Sequence, residues 1–296
     1  MNKDSFAGYH PVVNLLYFIV VIGFTMFILH PVFLVISLLG AVSYAIYLNG
    51  RKVFKFGLII LPMAIFTALL NPLFNHQGGT ILGYLPNGNP LTLESIAFGI
   101  GASTMLVTVI TWFSCFNMVM SSDKFVYLFG RVIPSLSMIL SMCLRFVPRF
   151  KDQIKIIYNA QRCIGKDLSN GNIIQKAKNG IKIISMMVTW SLENAIETAD
   201  SMKARGYGLP GRTAFSIYNF DKRDTFAMVY MLTCIVLLTV GGLTGAYAFR
   251  YFPTIRGEWT GFWTISMFIV YFSLGVFPIT LNLREGLVWK HIESKI

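Results

Sequence analysis

Two short stretches place a cation shortly before a glycine, three residues ahead in Ala160-Gln161-Arg162-Cys163-Ile164-Gly165 and directly ahead in Ala204-Arg205-Gly206 within Ser-Met-Lys-Ala-Arg-Gly-Tyr-Gly. A guanidinium is planar, permanently charged and able to bond a carboxylate through two parallel N–H groups. A glycine just behind it supplies the left-handed backbone on which many helices end. The chemistry on offer is therefore recognition of an acidic group at a helix terminus, not the making or breaking of bonds. From position alone, the plainer reading of Arg205 is that it complements the negative C-terminal end of its own helix, with Gly206 as the cap.

The remaining reactive residue types are arranged less suggestively. Glu193, Glu197 and Asp200 share one helical face and have the types for a metal or proton site, but such a face is more often solvated or paired with nearby lysines. His10, His30, His76 and His291 are far apart in sequence, which argues against a metal-transfer site built from them. Cys115, Cys143, Cys163 and Cys234 are scattered, with none in a Cys-x-x-Cys pair, and read as reduced fillers, not disulfides or metal ligands.

The elements that must position these residues are mostly apolar. The chain is 55% hydrophobic and 13% charged, with a mean hydropathy of +0.62, where a soluble domain carries roughly 25% charged residues. This is the composition of an integral membrane protein. Six runs approach the roughly 20 residues a spanning helix needs: Val12 to Leu29, Val32 to Leu48, Val53 to Leu70, Ile96 to Met120, Phe226 to Phe249 and Gly261 to Leu283. The first reads as an uncleaved span, since no small-residue cleavage site follows it. Only His30 and Pro31 separate the first two runs, which predicts a tight helical hairpin.

Lysines and arginines mark the loops that stay cytoplasmic. Of the 25 such residues, 16 fall between Ser121 and Thr225, while Asn71 to Thr92 has none and reads as an ordered external turn region. Lys3, Lys290 and Lys295 place both termini inside, so six spans close consistently apart from Arg250 and Arg256 in an external loop. The net charge of +12 thus points to a membrane surface or acidic partners, not to nucleic acid.

Within the basic segment, Phe146, Phe150, Ile154, Ile157, Tyr158 and Ile164 recur in steps of three and four, as on an amphipathic helix. Arg145 interrupts the apolar run that precedes it and snorkels to the interface, with Pro148 marking the change from membrane helix to amphipathic helix. A second helix is expected from about Ile173 to Arg205, roughly 45 Å long. Its apolar side holds Ile174, Ala177, Ile181, Ile184, Val188, Leu192, Ala195, Ala199 and Met202, and Gly206, Gly208 and Pro210 stop it. In span five, Gly241 and Gly245 form a Gly-x-x-x-Gly step that permits close helix contact, internal or with a partner. The expected fold is an all-α integral membrane protein with about six transmembrane helices and a cytoplasmic domain of two long amphipathic helices. Its divisions are 1–130 for spans one to four, 131–225 for the cytoplasmic domain, and 226–296 for spans five and six with a C-terminal tail.

Two cytoplasmic helices on a membrane bundle, each ending in a small-residue turn beside an arginine, resemble the coupling helices of energy-coupling-factor (ECF) transporter T subunits, the CbiQ-like family. The family's second signature stands intact as Ala204, Arg205 and Gly206. Its first, Ala-Gln-x-Ala-Arg-Gly, is matched by Ala160, Gln161, Arg162, Cys163, Ile164 and Gly165, with Ile164 in the place of the arginine. Leu144-Arg145-Phe146-Val147-Pro148 is similar to the family's Leu-Arg-Phe-Ile-Pro segment, and Asn71-Pro72-Leu73-Phe74 followed by Leu91-Thr92-Leu93-Glu94 to its external loop. His10, Pro11 and Val12 stand where the family has an Asp-Pro-Arg element.

The resemblance implies a non-catalytic subunit in a multi-pass position in the cell membrane, without a cofactor of its own. Two ABC-type ATPase subunits bind ATP, a substrate-binding membrane S subunit takes a vitamin or a transition-metal ion, and the T subunit connects them. Arg205 then anchors a carboxylate on an ATPase, against the plainer reading above. For Arg162, anchor and solvated charge are equal readings. For Ile164, a plug into the ATPase competes with packing against the second coupling helix, and packing is favoured. A self-sufficient channel or secondary transporter is the alternative, but it calls for ionisable residues or broken helices at mid-membrane. Pro62 is the notable mid-span breaker. A membrane-embedded enzyme would need convergent acids, histidines or a metal motif, and none has credible spacing.

Overall fold

The computed structural model describes residues 4–84, 86, 88–132, 134–166, 172–209 and 218–293. Lys3, Pro210 and Lys295 lie outside them. The chain is all-α, with helices α1 (Pro11–Phe27), α2 (Pro31–Asn49), α3 (Lys52–Phe74), α4 (Leu93–Val119), α5 (Ser122–Val132), α6 (Pro134–Cys163), α7 (Ile173–Ala204), α8 (Lys222–Leu243) and α9 (Phe262–Glu293). The strands are short: β1 (Ile81–Tyr84) pairs antiparallel with β2 (Pro90–Thr92), and β3 (Phe249–Arg250) with β4 (Arg256–Gly257). Helices α2, α3, α4, α8 and α9 are long and apolar enough to cross a membrane, and α1 is a shorter apolar helix. At 17 residues α1 is about 25 Å long, a little under the roughly 30 Å hydrocarbon thickness.

The chain divides into two compact units, one of Met1–Lys124 with Tyr218–Ile296 and one of Phe125–Ile217. In the first, aromatic side chains fill the centre: Phe6, Tyr17, Phe18, Tyr44 and Trp112 are fully buried and meet edge to face or tilted. Where helices cannot gain from expelling water, small residues and hydroxyl bonds hold them together. Gly40 of α2 lies against the Gly275 backbone of α9. The Thr25 hydroxyl meets those of Ser37 at 2.7 Å and Tyr271 at 3.0 Å, and the Trp112 indole donates to Ser37 at 3.1 Å. That cluster ties α1, near its C-terminal end, to α2, α4 and α9. Helix α3 leans on α4, where the Ser103 hydroxyl donates to the Ala64 carbonyl. It leaves most of its large apolar side chains exposed, as a lipid-facing span does.

Two of the sequence expectations for the bundle change. Span five ends at Leu243, not Phe249, because Thr244 caps α8 and the Tyr247 hydroxyl turns back to donate to the Leu238 carbonyl. Gly245 therefore lies beyond the helix. Gly241 alone makes the close approach, to Met267 of α9, so that contact is internal to the bundle. Span six instead runs ten residues past Leu283, to Glu293.

At one end of the bundle the residues before α1 form a polar knot. The Asp4 carboxylate accepts from the Tyr44 hydroxyl at 2.7 Å and the Asn282 amide at 2.6 Å, and Asn282 accepts from the Ser5 N–H. Lys124, only 6% exposed, donates to the carbonyls of Ala7 at 2.6 Å and Val119 at 2.9 Å. With its amide oxygen turned to the lysine, Asn14 accepts a third bond at 2.8 Å and donates to the Phe6 carbonyl. Burial lowers the Lys124 pKa to about 8, opposed by the charge of Asp4. Nearby, Asp224 accepts from the His10 N–H, and the Phe220 ring meets His10.

The opposite end carries both strand pairs. Glu94, in the first turn of α4, accepts from the Thr80 N–H and hydroxyl, and the Gly79 N–H donates to the Pro253 carbonyl. The histidines expected to have no joint role serve two helix starts instead. His10 and His30 each precede Pro-Val, and each Nδ1 accepts from the second helical N–H, of Val12 and Val32. The repeated His-Pro-Val was the available signal. His30 is enclosed by Phe33, Phe249, Trp259 and Phe268, and its pKa is lowered by burial, partly offset by the Glu258 backbone.

Candidate functional site

All seven residues singled out in the sequence lie in the second unit, on the hairpin of α6 and α7. Helix α6 is continuous through Pro148, so the proline does not separate two helices. The hairpin is antiparallel. The Arg149 guanidinium donates to Asn194 at 3.2 Å and lies over the Trp190 ring, Phe150 meets the same ring edge-on, and further along the Gln161 amide donates to the Met186 sulfur at 3.5 Å. An apolar cavity of about 320 Å³ opens between the helices, lined by Phe146, Phe150, Val188, Leu192, Asn194 and Ala195.

The apolar stripe read from the sequence is only partly engaged with α6. Ile183 and Asn194 are buried and Met186 and Trp190 half-buried, whereas Ile181 is 68% exposed and Ile184, Val188 and Leu192 are also exposed, the last two at the rim of the cavity. Helix α7 has two apolar faces, and the interhelical contact takes the one that includes Trp190 and Asn194. Glu193, Glu197 and Asp200 are all exposed, and among the described residues no group of three metal-ligating side chains comes together. Arg149, Trp190 and Asn194 are contributors that sequence reasoning missed. The amphipathic pattern runs through Phe146 and Phe150 and passes over Arg149, and nothing in the spacing distinguishes Asn194 from its exposed neighbours.

The two signature stretches end their helices in the same way. At α7, the Gly206 N–H donates to the Lys203 carbonyl at 2.9 Å and the Tyr207 N–H to Met202 at 3.0 Å. At α6, the Gly165 N–H donates to Arg162 and the Lys166 N–H to Gln161, both at 3.0 Å. Both are the six-to-one and five-to-two pattern that satisfies orphan carbonyls at a helix end, and both need a left-handed residue in the middle. The glycines supply it, with φ of +74° at Gly165 and +79° at Gly206. Position for position, Gln161 matches Met202, Arg162 matches Lys203, Cys163 matches Ala204, and Ile164 matches Arg205.

Gln161 is 7% exposed, spent on the hairpin interior, while Arg162, Gly165, Ala204 and Arg205 face outward. Ile164 is 64% exposed; the expected packing against α7 is absent because the chain turns off the helix at that residue. The Lys166 ammonium beside Lys182 holds the pKa of Lys182 below the ordinary lysine value. The structure brings neither Arg162 near Arg205 nor one motif near the other. From Met186, beside Gln161, to Arg205 is 19 residues of helix, about 30 Å.

These two matched ends fall within a stretch shared with known proteins. The CbiQ family, described as cobalt transport protein, matches residues 7–215. The chain belongs to the CbiQ family. Relatives in it bear the name energy-coupling factor transporter transmembrane protein EcfT. That of Streptococcus thermophilus is 30% identical over 224 residues, 72% of this chain and 80% of that one. The Lacticaseibacillus paracasei protein is 32% identical over 212 residues, 67% and 80% of the two chains. With the Lactobacillus helveticus protein the identity is 35% over 109 residues, which is 36% of this chain and 39% of that one.

Proposed function

We propose that this CbiQ-family protein is the transmembrane coupling subunit of an ECF-type importer, carrying ATP-driven motion from two cytoplasmic ABC-type ATPases to a substrate-binding S subunit. The observation that carries the reading is the pair of identically capped, exposed helix ends about 30 Å apart on one hairpin,. A hairpin braced by Arg149, Trp190 and Asn194 is stiff enough to move as a body when its ends are displaced. The exposed stripe of Ile181, Ile184, Val188 and Leu192 suits a hydrophobic S subunit. The substrate class is a vitamin or a transition-metal ion, chosen by that subunit. ATP is held by the ATPases, and the chain supplies neither a catalytic residue nor a cofactor. It sits in the cell membrane with both termini and the basic 131–225 segment in the cytoplasm, in keeping with its concentration of lysine and arginine.

The test is Arg205→Glu in the complete transporter, purified and returned to liposomes. Reversing an anchoring charge should lower ATP-driven uptake by at least about tenfold, with the bundle folded and ATP hydrolysis either uncoupled or lost together with the ATPases. Wild-type uptake by this variant would remove the anchoring role.

A further inference from the structure

The match between the two caps makes the difference at the cap position itself informative. Ile164 occupies the cap position that Arg205 holds in the other end. Arg162 does not fill the vacancy, for it stands two residues earlier, about 200° around the helix, in the place of Lys203. The surroundings differ as well, after each cap and not before it. Ile164 is flanked on both sides by exposed cations, Arg162 and Lys166, with Lys182 beside the latter. Arg205 follows the exposed Lys203, the counterpart of Arg162, and precedes the exposed Tyr207 and Leu209.

We propose that the hairpin presents two chemically unlike docking points, an apolar centre between cations at Ile164 and a cationic centre at Arg205 with an apolar border formed by Tyr207 and Leu209. Each fits a different ATPase surface, so the pair fixes which ATPase takes which end. This rests on the coupling function proposed above. A socket that buries a carboxylate to meet Arg205 leaves it unpaired against Ile164, and a dry apolar socket shaped for Ile164 has no partner for a guanidinium. The two ends therefore exclude each other's sockets. Rim cations around Ile164 would steer that end to an acidic border and set its approach. The ATPase surface facing Ile164 accordingly has an apolar floor and acidic edges, and the surface facing Arg205 has a carboxylate at its centre.

The experiment uses the transporter purified from its native membrane, with the photocrosslinker benzoylphenylalanine placed at Lys166 or at Tyr207 and the crosslinked peptides identified by mass spectrometry. Two different ATPase surfaces, one per position, is the expected result. Alongside it, Ile164→Arg and Arg205→Ile should each lower retention of the copurifying ATPases by roughly tenfold or more, while Ile164→Leu retains them. Thermal unfolding of the variants should match wild type, since both side chains are exposed. The same ATPase surface at both positions, or full ATPase retention by Ile164→Arg, overturns the inference while leaving the coupling function standing. The absence of any ATPase crosslink at either position overturns both.

Discussion

Gly165 and Gly206 settle how the two signature stretches are built, because each sits where an L side chain is strained. A Cβ at Gly206 meets only the flexible tip of Leu209 at 3.1 Å, and one at Gly165 meets nothing within 4 Å. The penalty for alanine is thus mainly backbone, about 1 kcal/mol at each site. Gly206→Ala should speed amide hydrogen exchange of residues 205–207 severalfold without changing exchange in the apolar bundle; unchanged exchange would mean that the cap is not formed in solution. The role of Gly206 was legible in the sequence, since Gly after a periodic apolar run is a stop signal. The exposure of Ile164 was not. Helical spacing continues an apolar row through it, but the left-handed residue one step later takes the chain off that row.

At the scale of elements, the described contacts of the hairpin mix aromatic, cationic and amide groups. Trp190 is the residue most engaged, with Phe150 at 5.7 Å between ring centres and the Arg149 guanidinium 5.7 Å above it. Trp190→Ala should loosen the α6 and α7 contact by about 2 kcal/mol, less than for a fully buried tryptophan because the residue is only partly buried,. Proteolysis of the purified protein would reveal this as faster cleavage within 134–204, and unchanged cleavage would show that the contact contributes little. Periodicity identified both helices and the apolar row of α7, but not which of its faces meets α6. Ile181, Ile184, Val188 and Leu192 make the stronger apolar row, and hydropathy alone assigns the strongest row to the nearest helix. The polar contributors Asn194 and Gln161 become visible only when their partners Arg149 and Met186 are in place. Spans were read well from run length, and their ends less well, because capping by Thr244 and the return of Tyr247 leave no mark on hydropathy.

For the whole molecule, the segment before α1 closes one end of the bundle, joining α2 and α9 through Asp4 and the start of α5 through Lys124. A tail aspartate and a lysine beyond a span read as ordinary interfacial charges, so this knot was not legible in the sequence. Lys124→Met would leave the carbonyls of Ala7 and Val119 and the Asn14 amide oxygen without their donor, a loss of about 1–3 kcal/mol, measurable as a lower thermal midpoint in mild detergent. The lysine also gives the wild type a pH signature. Its folded pKa of about 8 lies below the ordinary value of 10.5, so between these the unfolded chain holds the proton and the folded one does not. Stability should rise with pH across that window, and below pH 8 the full penalty of burying the charge is present. The methionine variant should lack that rise, and an equal rise in both proteins would assign it to another group. The proposed coupling role is tested most directly by extracting the tagged protein from its native membrane in mild detergent and identifying every protein that copurifies. Recovery of ABC-type ATPases together with a small hydrophobic membrane protein is the expected result; a chain that purifies alone and still transports in liposomes would contradict it.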